Sequence, residues 1–327
     1  MSHIHHRADR LSRRNWLETA SAAVAATAAG GCSLTERRRS PSAEPASHTA
    51  PPPRPSVRMP IIDANVRLVA EDDARYPLDD NAPEPPTFRA PIQRFLLHAN
   101  AAGVQGAVLV QPEAYRNDHR YLRHCLDQAP DRFRGACALD PSAADMAATL
   151  MDLTAHRSIT ALLIRAVRED RVPDFASPQM REVWLTAEQL GLVMQLDMSP
   201  RHAQAIVPLL ESFPRVPVVL DHLGRPKQGS PNEISNVFRL SKLPNVYLKF
   251  SGLHLATNEP YPHKSLKPFI AGCVDLFGPH RLIWGGDYRG QPYGETIRAV
   301  DLLLDAVKLE DRAMIAGGTA ARLYRFV

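Results

Sequence analysis

A chain of 327 residues with 44% hydrophobic and 23% charged side chains can bury one large core or two modest ones. Its formal net charge of +4 belongs to the leader: residues 1–58 hold nine arginines against four acidic residues, and the remainder holds 30 basic against 31 acidic side chains. That balance excludes a basic domain face for nucleic acid.

In chain order, the first signal is "LSRRNWLE", which places Arg13 and Arg14 before Trp16 and Leu17, followed by the weakly apolar "TASAAVAATAAGG". A charged segment ahead of a short apolar run is the layout of an export signal, and the twin arginine resembles a Tat signal. The run is too short to span a bilayer. Cys32, in "AAGGCS", stands where a bacterial lipoprotein signal is cleaved and lipidated. Residues 1–32 are therefore expected to export the chain to the periplasm, with membrane contact only through a lipid anchor at Cys32. Residues 33–58, rich in Pro, Ser and Ala, lack the large apolar side chains needed for a core and are expected to be a disordered tether. Cys125, Cys137 and Cys273 are odd in number and contain no C-x-x-C pair, so buried free thiols are expected.

From residue 59 the pattern alternates. Short Val-, Ile- and Leu-rich runs fit buried parallel strands: "PIIDAN", "GAVLVQ", "GACALD", "ITALLIR", "LVMQLD", "VPVVLD", "NVYLKFS" and "RLIWGG". Between them, "PIQRFLLHANAAG", "QMREVWLTAEQLG", "RHAQAIVPLLESF" and "HKSLKPFIAGCVDLFG" carry apolar residues at helical spacing, and "EDRAMIAGGTAARLYRFV" reads as a closing helix and tail. Eight strand–helix alternations predict an α/β fold, a single (β/α)8 TIM barrel over residues 59–327. A doubly wound open sheet is the competitor, but no glycine-rich phosphate loop follows an early strand.

In such a barrel, reactive side chains sit at the C-terminal ends of the strands. Those ends supply Asn65 and Arg67, Gln111 and Glu113, Arg165 and Arg168, Asp197, His222, Lys249 with His254 just beyond, and Asp287. Each alone has an ordinary explanation: a histidine after a strand is usually hydrogen-bonded structure, and an aspartate there often caps the next helix. Their convergence on one mouth points to a site.

Three of these strand ends, "VVLDHLGRP", "NVYLKFSGL" and "RLIWGGDYR", resemble the amidohydrolase-related family. The match is to its lactonase-like branch, which includes pyrone-dicarboxylate and sugar-acid lactonases. "RYPL", "GAVLVQPEAYRNDHRYL" and "GGTAARLYRF" extend the resemblance over residues 59–327. It implies a hydrolase that opens a lactone of a sugar acid or related carboxylated compound. The family pattern has a His-x-His pair ending strand one, a histidine on strand five, a histidine on strand six and an aspartate on strand eight. Here those positions read Asn65, Arg67, Asp197, His222 and Asp287, and Arg289 stands where the family commonly has proline.

A catalytic zinc needs about three His, Cys or carboxylate ligands plus an open position. Asp197, His222 and Asp287 could supply three to zinc or manganese, but a permanently charged Arg67 beside them opposes a divalent ion. No tightly bound metal is expected. Asp287 is then expected to act as general base on water, His222 to orient that water or donate to the leaving oxygen, and Arg67 to stabilise the oxyanion. Asn65, Gln111, Arg165, Asp197, Arg225, Lys249, His254 and Arg289 are expected to bind a small acidic substrate. Two alternatives stand: a barrel that binds an acidic ligand or protein partner without catalysis, and a metal-dependent decarboxylase or other hydrolase of the same superfamily.

Overall fold

The computed structural model describes residues 59–82, 86–140, 143 and 145–326. The export signal, the Cys32 anchor and the tether lie outside the described residues. Eight strands pair in sequence order, all parallel: β1 (Ile62–Val66), β2 (Gly106–Val110), β3 (Phe133–Ala138), β4 (Ile159–Ala166), β5 (Val193–Met198), β6 (Val218–Leu220), β7 (Val246–Phe250) and β8 (Leu282–Trp284). A parallel bridge between Val66 and Tyr288 closes the ring, with Arg67 N donating to Tyr288 O at 3.3 Å. Each strand is followed by one α-helix of the outer layer: α1 (Ile92–Ala102), α2 (Arg120–Gln128), α3 (Met146–Thr154), α4 (Pro178–Leu190), α5 (Val207–Ser212), α6 (Pro231–Arg239), α7 (Lys267–Phe277) and α8 (Gly294–Leu303).

The local chemistry explains these boundaries. Strands such as β2 and β5 are buried along their whole length because helices cover one face and the barrel interior the other. Helix α4 starts where the Ser177 hydroxyl accepts from Met180 N at 3.1 Å, and stops at Gly191, which takes the left-handed conformation at φ 62°. Its buried stripe is Met180, Val183, Trp184 and Ala187. Helix α6 starts at a reciprocal capping box between Ser230 and Glu233. Two expected helices are shorter than their apolar spacing suggests. In "RHAQAIVPLLESF" only Val207–Ser212 is α-helical, and in "HKSLKPFIAGCVDLFG" the helix begins at Lys267. Pro208 and Pro268 lack an amide hydrogen and are tolerated only in a first turn.

The interior is layered. Alternate strand residues, among them Ile62, Val108, Ala136, Ala161, Val193 and Ile283, form an apolar cluster that Ala320, Ala321 and Tyr324 of the closing segment join. This plug sits at the N-terminal ends of the strands, where Gly317 packs on the backbone ahead of β1. A Cβ at Gly317 would stand 1.7 Å from Pro60 O. The larger apolar cluster lies between strands and helices, and Cys125, Cys137 and Cys273 are buried free thiols within it. Polar side chains are therefore confined to the upper part of the barrel.

The β8–β1 seam has few backbone bonds and is reinforced by Asp63, which is fully buried. Its Oδ1 accepts from Asn65 N at 2.8 Å and Gly286 N at 2.7 Å, and its Oδ2 accepts from the Tyr293 hydroxyl at 2.7 Å. Burial outweighs these bonds and raises the carboxyl from 3.8 to about 6. A shift of that size disfavours the charged form by roughly 3 kcal/mol. The folded chain then holds this proton more tightly than the unfolded one. Its contribution is full below about pH 4 and is lost as pH rises through 6. Asp63→Asn retains an acceptor oxygen and removes the charge. Urea denaturation of both proteins from pH 4 to pH 7 should show the variant gaining on the wild type by up to roughly 3 kcal/mol; a constant difference would contradict the assignment.

Candidate active site

The mouth at the C-terminal ends of the strands is built on unusual backbone. Immediately after β6, His222, Leu223, Gly224 and Arg225 all have positive φ, at 54°, 56°, 72° and 53°, and Asp287 after β8 has φ 51°. A non-glycine residue in this region is disfavoured by about 1–2 kcal/mol, and such strain gathers at functional sites. The turn swings His222 and Arg225 inward. Gly252 permits the close approach of β7, since a Cβ there would stand 2.5 Å from His222 Nδ1.

Arg67 joins the two groups expected to act on water. Its Nη1 donates to Asp287 Oδ1 at 2.9 Å, and its Nη2 lies 3.4 Å from His222 Nε2. A guanidinium only donates, so His222 Nε2 accepts and its proton sits on Nδ1, 3.1 Å from Ser251 Oγ. Asp287 also takes Asn65 Nδ2 at 3.0 Å on Oδ1 and Arg289 Nη2 at 3.1 Å on Oδ2, with His254 Nδ1 at 3.9 Å from Oδ2. Burial opposes ionisation of Asp287, but Arg67 and Arg289 outweigh it and hold the carboxyl below its ordinary value. Burial lowers His222 to about 4, against the opposing pull of Asp197 and Asp221. At neutral pH the site therefore presents an ionised aspartate and a neutral histidine.

Across the mouth, Arg225 grips Asp197 in a two-pronged bond, Nε to Oδ1 at 2.5 Å and Nη2 to Oδ2 at 3.0 Å. Burial works against Asp197 ionisation, yet Arg225, bonded to both oxygens, and Arg67 hold its carboxyl well below the usual range. Arg165 differs from its neighbours. It donates to Gln111 O, and no carboxylate lies within ion-pair distance of it among the described residues. Burial, then the nearby Arg67, lowers its pKa. These groups open on a cavity of about 820 Å³ lined by Arg67, Arg165, Asp197, His222, Arg225, His254 and Arg289, with Glu113, Arg116, Arg168 and Arg171 further out. Its electrostatics favour an anion.

Three expected substrate contacts lie elsewhere. Lys249 is fully buried one layer below the mouth, because its inward-facing position on β7 precedes the strand end by one residue. Its ammonium donates to Gln195 Oε1 at 2.9 Å and lies 2.7 Å from Asp221 Oδ1; Gln195 Nε2 in turn donates to the Tyr324 hydroxyl at 2.9 Å. Gln111 is also fully buried. Its amide donates to Arg116 O at 3.1 Å and Asp118 O at 2.9 Å, which shapes the loop after β2. Asn65 is enclosed and binds Asp287 rather than facing the cavity. Asp63, Asp221, Ser251 and Gly252, which hold the site's frame, were not singled out by the sequence. "LDHLG" and "FSGL" contain three of them beside expected site residues, and only their packing shows what they do.

The donors present do not fit a metal. Among the described residues, no group of three or more His, Cys, Asp and Glu side chains comes together around one point, the trio Asp197, His222 and Asp287 included. Both Asp197 oxygens face Arg225, the Asp287 oxygens face Asn65, Arg67 and Arg289, and His222 Nε2 faces Arg67. The unpartnered buried acceptor at this point is Asn65 Oδ1, a weak donor for zinc.

A family model described as amidohydrolase matches residues 46–326. An L-fucono-1,5-lactonase from Burkholderia ambifaria is 27% identical over 241 residues, 68% of this chain and 81% of that protein. Among solved structures, a probable 2-pyrone-4,6-dicarboxylic acid hydrolase from Acinetobacter baumannii with citric acid bound has a TM-score of 0.70 at 20% identity, covering 82% of this chain and 100% of that one. An amidohydrolase from Burkholderia multivorans with bound zinc has a TM-score of 0.65 at 18% identity, covering 81% and 99%. These two structures share the fold.

The layer beneath the mouth gives a stability test. Lys249→Met leaves Asp221 charged, buried and without its cation, and should destabilise the barrel by about 3–5 kcal/mol. Adding Asp221→Asn should restore most of that loss in the same urea titration. If the single variant is as stable as the wild type, the pair does not hold this layer.

Proposed function

The chain belongs to the amidohydrolase family, and on that basis we propose that it hydrolyses a lactone bearing a carboxylate, with Asp287 as general base and without a tightly held metal. The observation that carries this reading is Arg67, whose guanidinium bridges Asp287 and His222 where ligand histidines stand in the family pattern. The similarity to an L-fucono-1,5-lactonase supports the lactone. The citric acid held by the Acinetobacter relative and the arginine-rich cavity support an acidic substrate.

In this mechanism Arg165 anchors the substrate carboxylate, since among the described residues it has no carboxylate within ion-pair distance and bonds only the Gln111 carbonyl. The lactone carbonyl oxygen turns toward Arg67. Asp287 takes a proton from water as the water oxygen bonds to the carbonyl carbon, and the oxyanion develops against the guanidinium. The ring C–O bond then breaks, and the alkoxide receives the proton held at Asp287, giving a hydroxy acid. His222 Nε2 accepts from Arg67 and steadies it. A carboxylate clamped by two guanidiniums is a weak base, which suits a lactone, an activated ester, better than an amide. The export leader supports a periplasmic enzyme, soluble or anchored through Cys32; labelling of Cys32 by lipid and recovery in the membrane fraction would separate those forms.

With a carboxylated lactone, Asp287→Asn should lower kcat by about 10²–10⁴ while the circular dichroism stays native. Persistent activity would remove Asp287 from its role, and ligand binding without any turnover by the wild type would favour a non-catalytic barrel. Arg165→Met should raise KM by roughly 10- to 100-fold for a carboxylated lactone and leave an uncharged one unaffected. Dialysis against a chelator should leave kcat unchanged; loss of activity restored by zinc would show that a metal is required. kcat/KM should stay level through neutral pH and fall as pH drops through about 4, where His222 gains its proton; Asp287, held below its ordinary value by Arg67 and Arg289, loses its charge only at lower pH.

A further inference from the structure

We propose that the water consumed by this reaction reaches Asp287 through a second, small crevice behind the base, separate from the substrate cavity. The inference rests on the reading of Asp287 as the base of a lactonase. The crevice has a volume of about 140 Å³, and its lining includes the exposed Gln291 and Glu295 together with Thr296 and Asp287. Asp287 lines this crevice and not the large cavity, Arg67 and His222 line the large cavity and not the crevice, and His254 lines both. The base and the cationic groups that receive the substrate therefore face two different spaces.

Size and polarity select the occupant. At about 30 Å³ per molecule the crevice holds roughly four or five waters, and it falls well short of the ~300 Å³ at which small-molecule pockets begin. A sugar-acid lactone cannot enter it. Ser251, His254, Gln291, Glu295 and Thr296 give water the several polar partners it needs. Oδ1 is enclosed by Asn65 and Arg67, and Oδ2, bonded to Arg289 at 3.1 Å, is the oxygen with the more exposed partner. Oδ2 meets Arg289 and His254, whose side chains are 40% and 54% exposed and free to yield. Water entering from this side reaches the base without passing a lactone held between Arg165 and Arg67. The water oxygen bonds to the carbonyl carbon, its proton passes to Asp287 Oδ2, and the same proton leaves with the ring alkoxide, so each turnover draws one water from the crevice.

Two variants of the full chain test this with a carboxylated lactone in water–methanol mixtures. Ala299→Leu, which fills the crevice from α8, should lower kcat by roughly tenfold or more, within what a positioned general base supplies, with KM unchanged. Thr296→Ala, which widens the crevice at the cost of one polar partner and leaves Asp287, Arg67 and His222 in place, should raise the ratio of methyl ester to free acid, because methanol then shares the water route. Unchanged kcat in the filled variant, or an unchanged product ratio in the widened one, would overturn the rear route while lactone hydrolysis by the wild type still stood. Failure of the wild type to open any carboxylated lactone would overturn the lactonase reading and the route with it.

Discussion

The mouth of this barrel depends on the contact between Arg67 and Asp287. The two residues follow β1 and β8, the first and last strands, so their 2.9 Å bond spans the closing seam as well as the reaction centre. One guanidinium pairs with the Asp287 carboxylate, approaches His222 Nε2 and leaves its remaining charge facing the cavity. Both side chains are nearly enclosed, at 15% and 11% exposure, where solvent screens the interaction less than at a surface. Removing either partner would leave a poorly solvated charge, so the contact contributes to the seam as well as to the site.

The frame beneath that contact is polar and tightly connected. Lys249, Asp221 and Gln195 form a buried layer tied to Tyr324, which also belongs to the apolar plug at the opposite end of the barrel. Asp221 immediately precedes the four left-handed residues that present His222 and Arg225, so the ion pair anchors the start of a strained turn. Such strain persists only when the surroundings over-determine it. Here they include Gly252 against the His222 ring and Gly224 against Val237, where a Cβ would come within 2.5 and 2.7 Å.

An arginine and a divalent ion offer different chemistry at one place. A metal polarises a carbonyl and lowers the pKa of bound water. A guanidinium stabilises an oxyanion by directed hydrogen bonds and leaves water activation to a separate base. In the proposed mechanism that division assigns polarisation to Arg67 and proton transfer to Asp287. It also makes the supply of water a distinct structural problem, since no ligand position stores it. The large cavity and the crevice, which share His254 in their linings, answer to that division.

Much of the fold was legible in the sequence because burial on both faces of a parallel sheet leaves continuous apolar runs: all eight expected strands are present, although β6 and β8 are only three residues long. The residues that end those strands were legible for the same reason, and Arg67, Arg165, Asp197, His222, Arg225 and Asp287 do converge. What the sequence could not determine was depth and partnership. Lys249 reads like any strand-end cation, yet one step along a strand moves a side chain to the opposite face, and two steps move it about 6.6 Å along the barrel axis. The strand ends one residue after Lys249, and a turn in which Ser251 N donates to Lys249 O at 3.1 Å leaves Lys249 in its sealed layer. Likewise, Asp197 and Asp287 are equivalent carboxylates on paper. Only the closed ring sets Arg225 across the one and Arg67 across the other, because those pairs lie 28 and 220 residues apart in the chain and meet through the curvature of the sheet.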